Sequence, residues 1–434
     1  MIRQKGIVRS AAVLGVAALA LAGCGSNGSN APKASGGDSP SATTGSSSGS
    51  SGQNQGDGQL VVGTLLPQTG DLAFLGPPEF AGVDAAVHDI NAAGGVLGKP
   101  VTQVKADSGD GTPDIAGSSV DSLLAGNADV ILGAAASGVS LSVINKITDA
   151  GVVEFSPANT SPAFDDPKTD PHSLYFRTAP SDVLQGAVLA NTILEDGHNN
   201  VAILARQDSY GELLANQVEK GIKAGGGNVT AKVLYSADAT NFTAEVTKVA
   251  ATHPDAIALI AFNETTKIIP TMIGKGIGPQ KQQVYFVDGN TADYSKDFPK
   301  GTLTGVKATY PGAELTGSFK KVLLKTNPKL TDFTYGPESY DATVLTALAV
   351  EAAKSDVPTK YAPWNIKVSK DGEKCTTYKQ CDALLKQGKD IDYDGVSGPV
   401  DLGDTGSPTK ATIGIFQYGP DNTYHPLKYV TGVI

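Results

Sequence analysis

The chain has 434 residues, a formal charge of −10, 18% charged residues and three cysteines. A net acidic surface excludes nucleic acid and anionic lipid as the main partner, because like charges repel. The length exceeds what one ordinary hydrophobic core serves and points to two domains.

The first element is a basic start with Arg3, Lys5 and Arg9, followed by the apolar run "AAVLGVAALALA". That run is too short to span a bilayer, so residues 1–23 read as a signal peptide. Removing its three cations takes the net charge from −10 to −13. The run ends in Leu21-Ala22-Gly23-Cys24, which resembles the lipobox of bacterial lipoproteins. The resemblance implies cleavage before Cys24 and acyl chains on that residue, each buried CH₂ worth ~0.8 kcal/mol. Residues 24–56 are mostly Ser, Gly, Asn, Thr and Ala with almost no charge and no large apolar residue, a composition that cannot build a core. They read as a tether spanning roughly 30 Å.

From Leu60 the sequence alternates short apolar runs with helical patterns: a strand at Leu60–Leu66, a helix at Glu79–Ala93, a strand at Val101–Ala106 and a helix at Asp114–Ala125. A strand at Val130–Gly133 and a helix at Val139–Ala150 follow, and then a strand enters "EFSPANTSPAF". This is the rhythm of a parallel sheet covered by helices. A second pass begins near Asn200 with "VAILA", the helix "YGELLANQVEKGIKAGGG", the strand "NVTAKVLY" and the later strand "PDAIALI". Helices at Leu315–Lys325 and Tyr340–Lys354 follow, and the chain ends in the β-rich "ATIGIFQY" and "HPLKYVTGVI". The fold class is therefore α/β, with two parallel-sheet lobes and a cleft at the carboxyl ends of their strands.

Enzymatic chemistry finds little support. Gly45-Ser46-Ser47-Ser48-Gly49 matches a nucleophile elbow only formally, since it lies in the tether without a strand before it. The five histidines are scattered and form no H-E-x-x-H pattern. The run "DIDYDG" at Asp390–Gly395 begins like a calcium loop, but Asp401 stands where a bidentate Glu belongs and Pro399 spoils the exiting helix. A turn leading into a strand around Val400 is the expectation, and no metal or cofactor is expected. Cys375 and Cys381, close together in an exported chain, read as a local disulfide.

The polar residues just after strands carry more. Ser137 joins a strand end to a helix start, so it is either a helix N-cap or an anion ligand at the positive helix end. Thr160 follows the next strand and can converge on the same point. On the other lobe Asp208, Tyr210 and Asp288 also follow strands, and each Asp is either a cation partner or a turn residue.

Taken in order, "LLPQTGDLAFLG", "DINAAGGVLGKP", "FSPANT", "FRTAPSD", "DSYGE", "YDA" and "GVSGPVDLGDTG" resemble the branched-chain amino-acid-type solute-binding proteins of bacterial ABC importers, from Leu60 to the last residues. The resemblance implies the type I periplasmic-binding-protein fold, two doubly wound lobes joined by three hinge crossovers. Lobe 1 would comprise residues 57–178 and 312–405, and lobe 2 residues 179–311 and 406–434. It further implies that Ser137 and Thr160 hold a ligand carboxylate and that the Ala158 carbonyl and Asp288 hold an ammonium. Tyr210 would form an aromatic wall. Leu75 stands where an aromatic is usual and Phe262 where a Tyr is usual, so the pocket shape differs from leucine binders. The implied function is capture of a small solute, an apolar or branched-chain amino acid, at the outer face of the membrane and its delivery to an ABC permease. The protein would act as a monomer and make or break no bond. A binder of amides, urea-like solutes or aromatic acids, or the ligand-sensing lobe of a signalling system, is the alternative.

Overall fold

The computed structural model describes residues 56–111 and 114–434. Residues 1–23, Cys24 and nearly all of the tether lie outside that range. Among the described residues no helix is long and apolar enough to cross a membrane.

The first lobe opens with β1 (Val61–Leu66), α1 (Gly76–Ala92), β2 (Thr102–Asp107), α2 (Ala116–Ala125) and β3 (Val130–Gly133). It continues through α3 (Ser137–Asp149), β4 (Val153–Ser156) and β5 (Tyr175–Arg177). These five strands form one parallel sheet in the order β2-β1-β3-β4-β5. β3 and β4 are buried along their whole length, as expected for strands covered on both faces. Gly133 ends β3 at φ 130°, where a Cβ would lie 1.9 Å from the Leu65 carbonyl oxygen, so only glycine fits there.

The second lobe runs through α4 (Asp182–Glu195), β6 (Asn200–Gln207), α5 (Gly211–Ala224), β7 (Asn228–Ser236) and α6 (Thr243–Ala250). β8 (Ala256–Ile260), α7 (Thr265–Gly274), β9 (Gln283–Phe286) and β10 (Lys307–Pro311) complete its parallel part. The chain then returns to the first lobe for α8 (Gly317–Thr326), α9 (Gly336–Ala353), α10 (Pro358–Val368), β11 (Glu373–Cys375), α11 (Tyr378–Lys386), β12 (Ile391–Gly395) and β13 (Gly398–Pro399). It ends in β14 (Lys410–Tyr418) and β15 (Tyr424–Val433), which pair antiparallel beyond β10. The second sheet has the order β15-β14-β10-β9-β8-β6-β7. Its parallel part, β7-β6-β8-β9-β10, repeats the order of the first sheet, so the two lobes share one winding. In such a winding the order reverses beside the first strand, and the loops at that point open a crevice.

Three segments cross between the lobes, residues 178–181, 312–316 and 400–409. α9, buried along nearly its whole length, packs on α1 so closely that a Cβ at Gly82 would lie 2.1 Å from the Gly336 carbonyl oxygen. Cys375 and Cys381 form a disulfide whose sulfurs sit in the first-lobe core. The "DIDYDG" run departs from expectation, since Ile391–Gly395 is strand β12 and Val400 lies in a crossover outside any strand. The cause is local: Ile391 and Tyr393 both point into the first-lobe core, and the turn falls at Val396-Ser397. Asp341 holds that turn by accepting from the backbone N–H groups of Val396 and Ser397 and from the hydroxyls of Ser397 and Tyr393.

Buried carboxyls gather near the crossovers. Glu338 accepts the Thr178 hydroxyl through its carbonyl, and its side chain packs against Gly312. Burial pushes Glu338 up to about 8 and Asp341 up to about 6. Burial also raises Glu79, with repulsion from Glu338 second. These groups keep protons in the folded state that the unfolded chain, at ~4 for each carboxyl, has released. The folded state then binds more protons than the unfolded state, so stability falls as pH rises. The free energy of unfolding in urea is expected to drop between pH ~5 and pH 8, at about 1.4 kcal/mol per pH unit for each carboxyl still protonated. Glu338→Gln should flatten the upper part of that fall. A free energy of unfolding that rises through the window, or a curve unchanged by Glu338→Gln, would refute it.

Candidate functional site

The loops after β1, β3 and β4 of the first lobe face those after β6, β8 and β9 of the second. They bring Leu72, Leu75, Ala135, Ala136, Ser137, Ala158 and Thr160 together with Tyr210, Phe262, Asp288 and Gly289 around one cavity. Tyr335, just before α9, closes it. All seven ligand-site residues named from sequence, Leu75, Ser137, Ala158, Thr160, Tyr210, Phe262 and Asp288, line this space. The cavity measures about 10 Å³, room for about one water, and its walls are almost completely buried. The lobes are therefore shut on each other, and one apolar cluster runs across the cleft through Leu75, Ala158, Tyr210, Phe262 and Tyr335.

The first-lobe half is stitched by residues that read from sequence as turn formers. Ser156 donates its hydroxyl to the Ala134 carbonyl and accepts from the backbone N–H groups of Ala158 and Asn159. The Asn159 amide donates to the carbonyls of Ala134 and Ala135 and accepts from the Tyr175 hydroxyl. The loop after β4 is thus fastened to the loop after β3. Ser161 donates across the cleft to the Ser209 carbonyl, 2.8 Å away. Ser137 is the first residue of α3 and makes no cap bond, Ala136 being the N-cap; its hydroxyl accepts from Ser161 N–H at 3.4 Å. Ser137 thus stands at the positive end of a thirteen-residue helix.

Thr160 donates to Asp182 Oδ2 at 3.0 Å, and its carbonyl accepts Asp182 N–H at 2.7 Å. Asp182 begins α4 on the far side of a crossover and is wholly buried. Burial, and then repulsion from Asp288, raise it well above the usual carboxylate range. Its Oδ1 has no hydrogen-bond partner among the described residues.

Asp288 sits in a 3₁₀ turn after β9. Its Oδ1 accepts from the Tyr210 hydroxyl at 2.6 Å and from Gln185 Nε2 at 2.7 Å, and its Oδ2 accepts from the Tyr335 hydroxyl at 2.6 Å. All three donors are neutral, and no ion pair among the described residues includes Asp288. The Tyr335 bond crosses between the lobes. Tyr210 stacks on Phe262 with ring centroids 5.4 Å apart, and the Arg206 guanidinium covers Phe262 at 3.4 Å. Arg206 is itself paired with Asp208 and Glu264. Asp208 also accepts the N–H groups of Tyr210 and Gly211, so it acts as the turn residue at the start of α5 and lies outside the cavity lining.

Sequence reading missed Tyr335, Gln185 and Asp182, although "FTYGPES" carries the Gly-Pro of a helix start and "TAPSD" the Ser N-cap and first-turn Asp of α4. Elsewhere, Asp392, Asp394 and Asp401 bring ligand atoms within 4.8 Å of one another. Lys374 binds the first two at 2.9 and 3.0 Å, so the chain supplies its own cation there.

A family model described as periplasmic binding protein matches residues 59–421. Among curated relatives, the chemotactic signal transduction system substrate-binding protein BasB of Halobacterium salinarum is 26% identical over 79% of this chain and 83% of its own. The Leu/Ile/Val-binding protein BraC3 of Rhizobium johnstonii is 24% identical over 83% of this chain and 91% of its own. Among solved structures, the branched-chain amino acid transporter substrate-binding protein LivJ from Streptococcus pneumoniae, in complex with isoleucine, superposes with a TM-score of 0.69. It is 21% identical, and the match covers 87% of this chain and 100% of that one.

Proposed function

The chain belongs to the periplasmic binding protein family, and from that premise we propose that it is the extracytoplasmic receptor of an ABC importer for a zwitterionic amino acid with an apolar side chain. The observation that carries the choice of ligand is Asp288. A buried carboxylate held only by neutral donors has room for a fourth contact, and a ligand ammonium supplies both the contact and the missing charge. The Ala158 carbonyl takes a second ammonium hydrogen. The ligand carboxylate goes to Ser137 and Thr160 at the start of α3. On binding, the Thr160–Asp182 hydrogen bond reverses: Asp182, its proton retained, donates to the Thr160 hydroxyl, whose own hydrogen turns to the carboxylate. Leu75, Tyr210 and Phe262 surround the apolar side chain.

The lobes, residues 57–178 with 312–405 and 179–311 with 406–434, part at the three crossovers to admit the solute and close around it. A ligand that bridges both halves favours the closed form, because only that form satisfies both. Cys24 carries the lipid anchor, and the tether lets a monomeric receptor reach the permease. Nothing is turned over.

Thermal-shift measurements with leucine, isoleucine, valine, benzoate and a small amide test this reading. A branched-chain amino acid at 100 times its dissociation constant is expected to add ~2.7 kcal/mol of stability. Stabilisation by benzoate or the amide alone would replace the amino acid with the runner-up ligand. The likeness to BasB over most of the chain favours a second reading, a receptor that reports its ligand to a signalling partner. Ligand binding that leaves uptake by the co-expressed permease unchanged would select it.

A further inference from the structure

A second cavity, of about 390 Å³, lies apart from the cleft. Strands β10, β14 and β15 of the second lobe form one side, and α8 with the segment 331–334 of the first lobe forms the other. Phe416 forms its floor. The rings of Tyr424 and Tyr429 stand 5.5 and 6.1 Å from Phe416 and are turned 85° and 83° to it, so they rise as two walls. Tyr310 continues the floor at 5.4 Å, and Phe333 faces it from the first lobe.

Two features identify what such a box takes. First, the ring of Phe333 already carries a cation, Lys320 Nζ, 4.6 Å from its centroid. Second, the acids Asp293 and Glu314 line the cavity with Lys320 and the imidazole of His425, a formal charge of −1 with His425 neutral, which favours a positive occupant. Aromatic faces attract cations, most effectively those whose hydration is weak. Alkyl groups on nitrogen fill apolar volume that a hydrated metal ion cannot, whereas a carboxylate would meet two acids.

We propose that this cavity is a second binding site, for a small alkylammonium ion of the quaternary type. Its walls belong to both lobes, and the Tyr424 hydroxyl bonds to Asp332 across them at 3.1 Å, so an occupant braces the closed arrangement. Tyr310 also meets the ring of Tyr335 at 6.1 Å, and Tyr335 reaches Asp288 in the cleft. The site stands whatever solute the cleft binds.

The test is calorimetric titration of the full-length chain with tetramethylammonium chloride, with sodium chloride and sodium benzoate as controls. One saturable site is expected, weakened about tenfold by Tyr429→Ala and by Glu314→Gln. Tyr429 is half-buried and Glu314 exposed at the rim, so these variants spare the core in which Phe416 sits. Ser137→Ala, in the cleft, should leave the titration unchanged. The proposal falls if no saturable binding is seen or if binding survives both rim variants. It also falls if Ser137→Ala abolishes binding, which would place the cation in the cleft, or if benzoate binds and is the ligand the rim variants weaken.

Discussion

Asp288→Asn is expected to lower the affinity for a branched-chain amino acid by about a hundredfold, measured by titration calorimetry at neutral pH. The substitution keeps size and shape but changes two things. The charge that meets the ammonium is gone, and one oxygen becomes an NH₂ group that must face hydroxyls now donating to it. Tyr210 and Gln185 share Oδ1 while Tyr335 alone uses Oδ2, so the position left for the ligand is on Oδ2, beside the bond that crosses the cleft. A charge-assisted hydrogen bond is worth roughly 1.5 to 3 kcal/mol, which sets the scale of the loss. Tyr335→Phe removes one neutral donor and leaves the charge, so it should cost about tenfold or less. If Asp288→Asn binds as tightly as the parent, the ligand carries no amine at this point and the ammonium assignment is wrong.

The site was legible where β/α grammar and motif order act together. In a parallel sheet the loops at the carboxyl ends of the strands must face the crevice, so polar residues after strands, Ser137, Thr160 and Asp288, could be singled out before any coordinates. Tyr335 follows no strand. It enters the cavity from the loop before α9 at φ 58°, a conformation seldom used by non-glycine residues, and no periodicity announces it. Asp182 and Gln185 were hidden differently: an acid in the first turn of a helix is ordinary, and only the crossing of the chain between lobes brings these residues to Thr160 and Asp288. In Ser156, Asn159 and Ser161 turn chemistry and site construction use the same residue types, so composition could not separate them. The stretch from Pro358 to Pro399 was the least legible part of the fold. α10 carries Pro363 in its interior, and its strands have only two to five residues, too few for a pattern to register.

The second large effect concerns a residue that touches no ligand. Arg177→Met is expected to lower the free energy of unfolding in urea by about 3 to 5 kcal/mol, the usual loss when a buried ion pair is broken from one side. Arg177 ends β5 and is completely buried. One guanidinium nitrogen donates to the carbonyls of Asn159 and Ser161, at 3.2 and 2.9 Å, on either side of Thr160. Another donates to Asp165 at 2.5 Å, and Nε donates to Ser407 at 2.8 Å. Asp165 also accepts the hydroxyls of Ser181 and Ser407, so this one pair ties the Thr160 loop to the first and third crossovers. Methionine fills much of the volume but leaves the Asn159 carbonyl without its donor, takes one donor from the Ser161 carbonyl and leaves Asp165 with two hydroxyls and no counter-charge. Lysine restores the charge without the planar fork, so Arg177→Lys should recover only part of the stability. Both variants should also weaken ligand binding, because the loop that presents Thr160 loses its brace. A loss below about 1 kcal/mol for Arg177→Met, the range of an exposed pair, would mean that water replaces these bonds and that the crossovers are held by packing alone.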